Sequence, residues 1–328
     1  MDKIIILHTD VAPDASEDEL DTLRQAQAVA DAIISLGHEP VLLPFTMDLP
    51  ATISQLRRFN PQVVFNLVET IGGKGSMSYF ATALLDFLQL PYTGCRTEAL
   101  FVTSNKPLTK KILHAEGIAT PLWITSDGLS TGVSSGSTFL IKPSGEDASV
   151  GLDDDSVVTT THLETMKTAL RNRQEKIGCD CFAEAYIEGR EFNVALLADD
   201  KGVRILPPAE MLFLNYPPEK LKILDYRAKW VEDSFEYDNT RRTLDIGPQD
   251  VNLVARLRDI ALICWQLFGL HGYARVDFRV DQQGNPFVLE INANPCLSPD
   301  AGFTAALERT AITYPAAINL IIQDALRR

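Results

Sequence analysis

With 328 residues, 45% of them hydrophobic and 23% charged, the chain has an ordinary globular composition and the length for two or three packed units. A formal net charge of −14 with no visible basic run argues against the basic face that a phosphate backbone requires, so no nucleic-acid partner is expected. No run approaches the roughly 18 apolar residues of a membrane span. The first strand signal at Lys3 leaves no room for a leader, so a cytoplasmic protein with free cysteines and no membrane partner is expected.

The first ninety residues alternate strand and helix signals. Ile4–Leu7 reads as a strand, Glu17–Leu36 as an amphipathic helix stopped by Gly37, and Pro40–Phe45 as a strand. Leu49–Phe59, Val63–Val68 and Met77–Leu88 then read as helix, strand and helix. The order predicts a small parallel sheet with crossover helices. The turn after the first strand lacks Gly-x-Gly-x-x-Gly, which argues against a Rossmann dinucleotide site. Gly72-Gly73-Lys74-Gly75-Ser76 either holds an anion on its N–H groups or is a plain turn.

A helix over Pro107–Glu116, capped by Ser104 or Asn105, precedes a Ser/Gly-rich loop from Ser126 to Ser137. Next come a strand Thr138–Lys142, a helix near His162–Lys176, and strands Phe182–Ile187 and Glu191–Leu197 joined at Glu188-Gly189-Arg190. From Leu206 to Asp250 the pattern is irregular, and so long a loop reads as a functional lid or a disordered segment.

Near the C-terminus two alternating runs define a hairpin. Ala274, Val276, Phe278 and Val280 alternate with Arg275, Asp277 and Arg279; Phe287, Leu289 and Ile291 alternate with Val288, Glu290 and Asn292. If Asp281 pairs with Pro286, Asp277 faces Glu290 and Arg275 faces Asn292. Two carboxylates about 5 Å apart destabilise a sheet unless a positive charge lies between them. An all-oxygen donor set of Asp277, Glu290 and Asn292 suits magnesium or manganese, and magnesium held by so few groups keeps positions for substrate phosphates. The competing reading is a surface hairpin with solvated charges. A second feature is Lys142, delivered by an apolar strand into the small-residue loop Pro143–Gly151, whose N–H groups can cradle phosphates. Lys106, at a helix start, adds a cation or is merely solvated. Nothing orients His271 toward Cys296, which leaves a Cys–His hydrolase without support.

Taken in order, these blocks resemble the ATP-grasp superfamily and, within it, the D-alanine–D-alanine ligase group. The resemblance rests on Asn66-Leu67-Val68-Glu69 with Gly72-Gly73, Leu90–Gly94, Asn105-Lys106, Lys142-Pro143 through Gly151, Tyr226–Lys229, Arg275-Val276-Asp277 and Glu290–Pro295. It implies an α/β chain of ATP-grasp fold with an N-terminal parallel α/β domain over 1–97, a central lobe over 98–184 and a C-terminal lobe over 185–328. The implied activity is ATP-dependent joining of a carboxylate to an amine through an acyl phosphate. ATP would contact Lys106, Lys142, Ser149 and Lys229, with adenine at the hinge Glu184–Ile187, which includes Tyr186, and ribose at Glu191. Asp277, Glu290 and Asn292 would hold two magnesium or manganese ions, and Arg275 and the Cys296 N–H would steady the oxyanion. Glu69, after the third strand, and Glu19, near the first helix, are either acceptors for a substrate ammonium or solvated surface groups. Family habit implies a homodimer through the first lobe.

The sequence also departs from the family pattern. The family's serine that helps close the lid falls at Ala148 and its tyrosine at Trp230, and the Ser-Leu pair for the second substrate's carboxylate falls at Ala301-Gly302. The nucleotide half is thus retained and the amino-acid half altered, so D-alanyl-D-alanine is not the expected product. A nucleotide-binding protein without turnover is the alternative.

Overall fold

Strands buried on both faces need apolar residues at every position, not at alternate ones. β1 (Lys3–Thr9) and β3 (Val63–Leu67) are of this kind, with Ile4 through Leu7 and Val63 through Phe65 inaccessible to solvent. With β2 (Glu39–Phe45) they form a parallel sheet ordered β2-β1-β3. Helix α1 (Glu17–Ser35) covers one face, on Ile4 and Ile6; α2 (Leu49–Phe59) and α3 (Tyr79–Phe87) cover the other, on Ile5 and Leu7. The computed structural model describes residues 2–12, 14–127, 137–147, 149–160 and 162–328. Most of the Ser126–Ser137 loop, and Ala148, lie outside the described residues.

Helices α4 (Thr97–Thr103) and α5 (Lys106–Ala115) lead into a second, antiparallel sheet. Its strands are β4 (Trp123–Thr125), β5 (Ser137–Pro143), β6 (Val157–Thr160) and β7 (Cys181–Ala185), ordered β4-β7-β5-β6 and backed by α6 (Leu163–Ile177). Three residues, 186–188, then connect to a third sheet. It contains β8 (Gly189–Asp199), β9 (Gly202–Ile205), β10 (Ala209–Phe213), β11 (Thr240–Thr243), β12 (Tyr273–Asp281) and β13 (Pro286–Asn292). The order is β11-β10-β8-β12-β13, with β9 also on β8.

The Leu206–Asp250 segment is therefore not one irregular loop. It carries β10, two short helices α7 (Tyr226–Trp230) and α8 (Phe235–Asn239), and β11. β11 lies at the sheet edge and buries only Thr240 fully, so no apolar alternation marks it. Helix α9 (Val251–Leu267) packs against the third sheet. The chain closes with α10 (Gly302–Glu308) and α11 (Tyr314–Arg327), which fill a core shared by the first and third sheets: Ile6 and Phe65 meet Leu197, Phe303 and Ile318.

The hairpin pairs Asp277 with Glu290 and Arg275 with Asn292, as the alternation predicts, but the turn register differs. Val280, not Asp281, pairs with Pro286, and a bulge between Glu290 and Val288 restores the expected partners. The extra residue is Leu289. One consequence is that Val288 and Ile291 enter the core, while Phe287 and Leu289, expected there by simple alternation, are only partly buried.

Candidate active site

A cleft of about 1060 Å³ lies between the second and third sheets and extends to α1 and α10. It receives Lys142 and Glu184 from one sheet, and Glu191, Asp277 and Glu290 from the other. Its floor is the β12–β13 hairpin. There Arg275 donates Nε and Nη2 to the two Asp277 oxygens, each at 2.8 Å. Asn292 Nδ2 reaches Asp277 Oδ2 at 3.2 Å and Glu290 Oε1 at 3.5 Å. Lys106 Nζ stands 3.5 Å from Glu290 Oε2.

Burial would raise the Glu290 carboxyl, but the charges of Lys106, Lys229, Arg275 and Lys142 bring it down to about 2. Burial and the Glu290 charge push Asp277 upward, against the pull of Arg275. Among the described residues no group of three His, Cys, Asp or Glu is arranged to hold a metal ion, and at this spot the amide of Asn292 accompanies the two carboxylates. Two carboxylates and an amide within a few ångströms fit a hard divalent cation such as magnesium or manganese. The fork of Arg275 and the Asn292 N–H now occupy lone pairs that such a cation would take.

The cations are placed by helix α5 and strand β5. Asn105 caps α5, its Oδ1 accepting from Leu108 N at 3.0 Å, which fixes Lys106 at the first helical position. Lys106 Nζ donates to Glu146 O at 2.5 Å and to Asp147 Oδ1 at 2.8 Å. Burial works against its charge, yet Asp147 and Glu290 raise its pKa. One turn on, Lys110 is fully buried and binds Glu184, whose other oxygen takes Lys142 Nζ at 2.5 Å. The two lysines outweigh burial and hold Glu184 below its ordinary range. Lys110 had no role in the sequence reading; its spacing of four from Lys106, one helical turn, is the signal that points to it.

At the connection between the sheets, Arg279 donates to Ile187 O (2.8 and 3.0 Å) and to Glu191 Oε2 (3.2 Å), and its guanidinium lies 5.2 Å from the Tyr186 ring centre. Arg279, also without an earlier role, thus ties the expected hinge to the expected ribose residue. The Glu184 side chain is taken by lysines, so the hinge offers the Tyr186 ring and backbone. Among the described residues the Ile187 N–H donates to no protein acceptor.

The turn Gly72–Ser76 does hold an anion, a carboxylate of this chain: Gly75 N donates to Glu146 Oε2 at 3.0 Å. A side chain on Gly75 would meet Gly145 O at 2.8 Å, so the two loops approach only because glycine stands there. Ser149, left-handed at φ 61°, donates Oγ to Leu224 O at 2.7 Å, tying the Pro143–Gly151 loop to the segment that carries Lys229. Tyr226 Oη donates to Asp18 at 2.9 Å and so fastens α7 to α1. Lys229 lies in the cleft; burial lowers its pKa, against the charges of Glu290 and Asp277.

Acidic groups gather at the α1 end. Glu69 accepts from Gln25 Nε2 at 2.7 Å, and burial, with the charge of Asp21, raises it to about 7. Asp21 accepts from Cys296 Sγ at 3.1 Å and Ser298 Oγ at 2.9 Å. Cys296 lines the cleft, and among the described residues its N–H donates to no protein acceptor. His271 sits beside Cys95 instead, its N–H on Cys95 Sγ at 3.3 Å. Glu19 also borders the cleft, with one carboxylate oxygen accepting from Ser16 N and Oγ at the start of α1. Ala301 and Gly302 also line the cleft, with Arg242 on β11 beside them.

The family model described as D-ala D-ala ligase C-terminus matches residues 133–323. The D-alanine–D-alanine ligase of Aquifex aeolicus (strain VF5) is 30% identical over 312 residues, covering 94% of this chain and 96% of the relative. That of Synechococcus sp. (strain JA-3-3Ab) is 29% identical over 315 residues, covering 94% and 90%. The fold is similar to the crystal structure of D-alanine–D-alanine ligase from Bacillus anthracis complexed with ATP, with a TM-score of 0.73 at 19% identity over 100% of this chain and 98% of that one. The mixed α/β architecture, the cleft between two sheets and these matches together identify the chain as an ATP-dependent ligase of ATP-grasp fold that belongs to the D-alanine–D-alanine ligase family.

Proposed function

We propose that this enzyme phosphorylates the carboxylate of one small substrate with ATP and joins the activated acyl group to the amine of a second, releasing ADP and phosphate. The observation that carries the reading is the convergence, in one cleft, of Lys106, Lys142, Lys229 and Arg275 upon the opposed pair Asp277 and Glu290. Four cations around two carboxylates suit a polyphosphate far better than a neutral ligand. Lys106, Lys142 and Lys229 hold the phosphates, the N–H of Ser149 supports them, and Glu191 takes the ribose. Adenine lies against Tyr186 with the Ile187 N–H as donor. Asp277, Glu290 and Asn292 hold magnesium, or manganese, as two ions that neutralise charge on the phosphates when bound. Arg275 and the Cys296 N–H face the oxygen that becomes negative as the amine attacks, where one donor contributes about 3 kcal/mol.

Glu69 is the favoured acceptor for a substrate ammonium, since it borders the cleft and makes one side-chain hydrogen bond, to Gln25. Glu19 is the second choice because Ser16 already donates to it. Relatives carry the name D-alanine–D-alanine ligase, yet Trp230 and Ala301-Gly302 stand where that family has a tyrosine and a Ser-Leu pair. We therefore assign a different pair of small amino-acid substrates. Three separate sheets support a division at about residues 97 and 184; a cytoplasmic homodimer is part of the same reading. Phosphate release from ATP and magnesium across pairs of amino acids tests it. Release that requires two added substrates is the expected result. Dipeptide formation from D-alanine alone as the best pair refutes the altered specificity, and tight ATP binding with no release from any pair favours a binding protein without turnover.

A further inference from the structure

Most cations of the cleft have a carboxylate partner: Arg275 has Asp277, Arg279 has Glu191, Lys142 has Glu184 and Lys106 has Asp147. Lys229 is left for the phosphates. Arg242 is also left over. It projects from β11 into the second-substrate end of the cleft, open to solvent, and among the described residues no carboxylate lies within 4 Å of it. Its hydrogen bond runs from Nη1 to the carbonyl oxygen of Asp300 at 3.0 Å, which orients the guanidinium and leaves the Nε–Nη2 edge unengaged. A side chain at position 302 would begin 3.7 Å from that Nε, so glycine there keeps the edge accessible. Burial and the Arg275 charge lower the Arg242 pKa, while the Asp300 charge, beyond ion-pair distance, works the other way.

The cleft lining also includes Asp18, Asp21 and Glu69, carboxylates suited to the substrate's ammonium. Resting on the ligase reading above, we propose that Arg242 binds the carboxylate of the incoming amine substrate through its Nε–Nη2 edge. That substrate is then an amino acid or peptide with a free carboxylate, not a polyamine or another amine lacking one. A guanidinium presents two parallel donors that match a carboxylate, which a lysine or hydroxyl does not. The arginine thereby replaces the hydroxyl that Ala301 and Gly302 do not supply.

The test compares amino acids with their carboxamides as amine substrates, D-alanine against D-alaninamide among them, in the full chain and in R242Q, R242K and G302V. The acid should be preferred by at least about tenfold in kcat/KM, and that preference should fall by about 10- to 100-fold in R242Q through a higher KM for the amine substrate. R242K should retain part of it, and G302V, which covers the edge without removing the charge, should resemble R242Q. An unchanged preference in R242Q, or a raised KM for ATP in place of the amine, overturns the assignment while leaving the ligase reading intact. If no pair releases phosphate, the ligase reading fails and calorimetry decides the subsite. Weaker binding of D-alanine to magnesium- and ADP-loaded R242Q than to the parent upholds it; equal binding, or none to either, overturns it.

Discussion

Replacing Glu290 by glutamine removes one charge while keeping the side chain's volume, and the consequences can be worked from its surroundings. Lys106, Lys142, Lys229 and Arg275 hold this carboxyl at about 2 against an ordinary 4.5. Because the folded value lies below the unfolded one, the stabilisation is present above pH 4.5 and is lost as the pH falls through 2. At 1.36 kcal/mol per pH unit, that difference caps the contribution at about 3 kcal/mol. The side chain is 26% exposed, and screening reduces the expected loss to about 1–2 kcal/mol at pH 7. The variant should therefore fold. Its cleft, with the same four cations and one fewer carboxylate, should bind metal-free ATP at least as well as the parent. Phosphate release with magnesium should fall by at least about 10²-fold, the scale of one fixed charge at a reacting centre. Thermal unfolding with ATP, with and without magnesium, together with a phosphate-release assay, measures all three effects. Turnover within threefold of the parent, with an unchanged magnesium requirement, would refute the role given to this carboxylate.

Lys110→Met should destabilise the protein by about 3–5 kcal/mol, since it removes the fully buried partner of the buried Glu184 carboxylate and leaves only the partly exposed Lys142; a urea midpoint corresponding to less than 1 kcal/mol contradicts this. Glu69, raised by burial from 4.5 to about 7, binds its proton more tightly folded than unfolded, so stability falls as pH rises across that interval. Glu69→Gln should flatten this slope and stabilise at pH 8 by up to about 3 kcal/mol, with little effect at pH 4; parallel stability curves for parent and variant would rule it out. Tyr226→Phe removes the bond to Asp18 and should loosen α7 by about 1 kcal/mol, seen as faster amide exchange over residues 222–231; Asp18→Asn in the same chain should add little, and additive effects argue against the latch.

Local pattern alone specifies the elements that later organise the cleft. Leu49–Phe59 is helical over the span its periodicity indicates, and the Glu17 helix ends within one residue of the expectation. The fully apolar runs of β1 and β3 announce a covered parallel sheet because nothing else accommodates strands with no polar face. The Asp277–Glu290 pairing is legible too, though for an incomplete reason. Counting back from the turn assumes a regular ladder, whereas the bulge at Leu289 shifts one half of the hairpin and decides which face Phe287 and Val288 take.

Edge strands such as β11 stay hidden because few of their residues are buried, and burial is what writes a pattern into a sequence. Charged side chains stay ambiguous for a related reason. Lys110, Arg242 and Arg279 carry no signal of a role until the fold brings Glu184, Gly302 and Glu191 to them from 74, 60 and 88 residues away along the chain. By itself, then, the sequence determined the strongly patterned elements, the family and the Asp277–Glu290 pairing of the hairpin, all set by neighbours in the chain. Tertiary structure alone decided which charges are neutralised within the cleft and which remain for a ligand, because a Coulomb interaction depends on distance in space and on local solvent, neither of which is written in residue order.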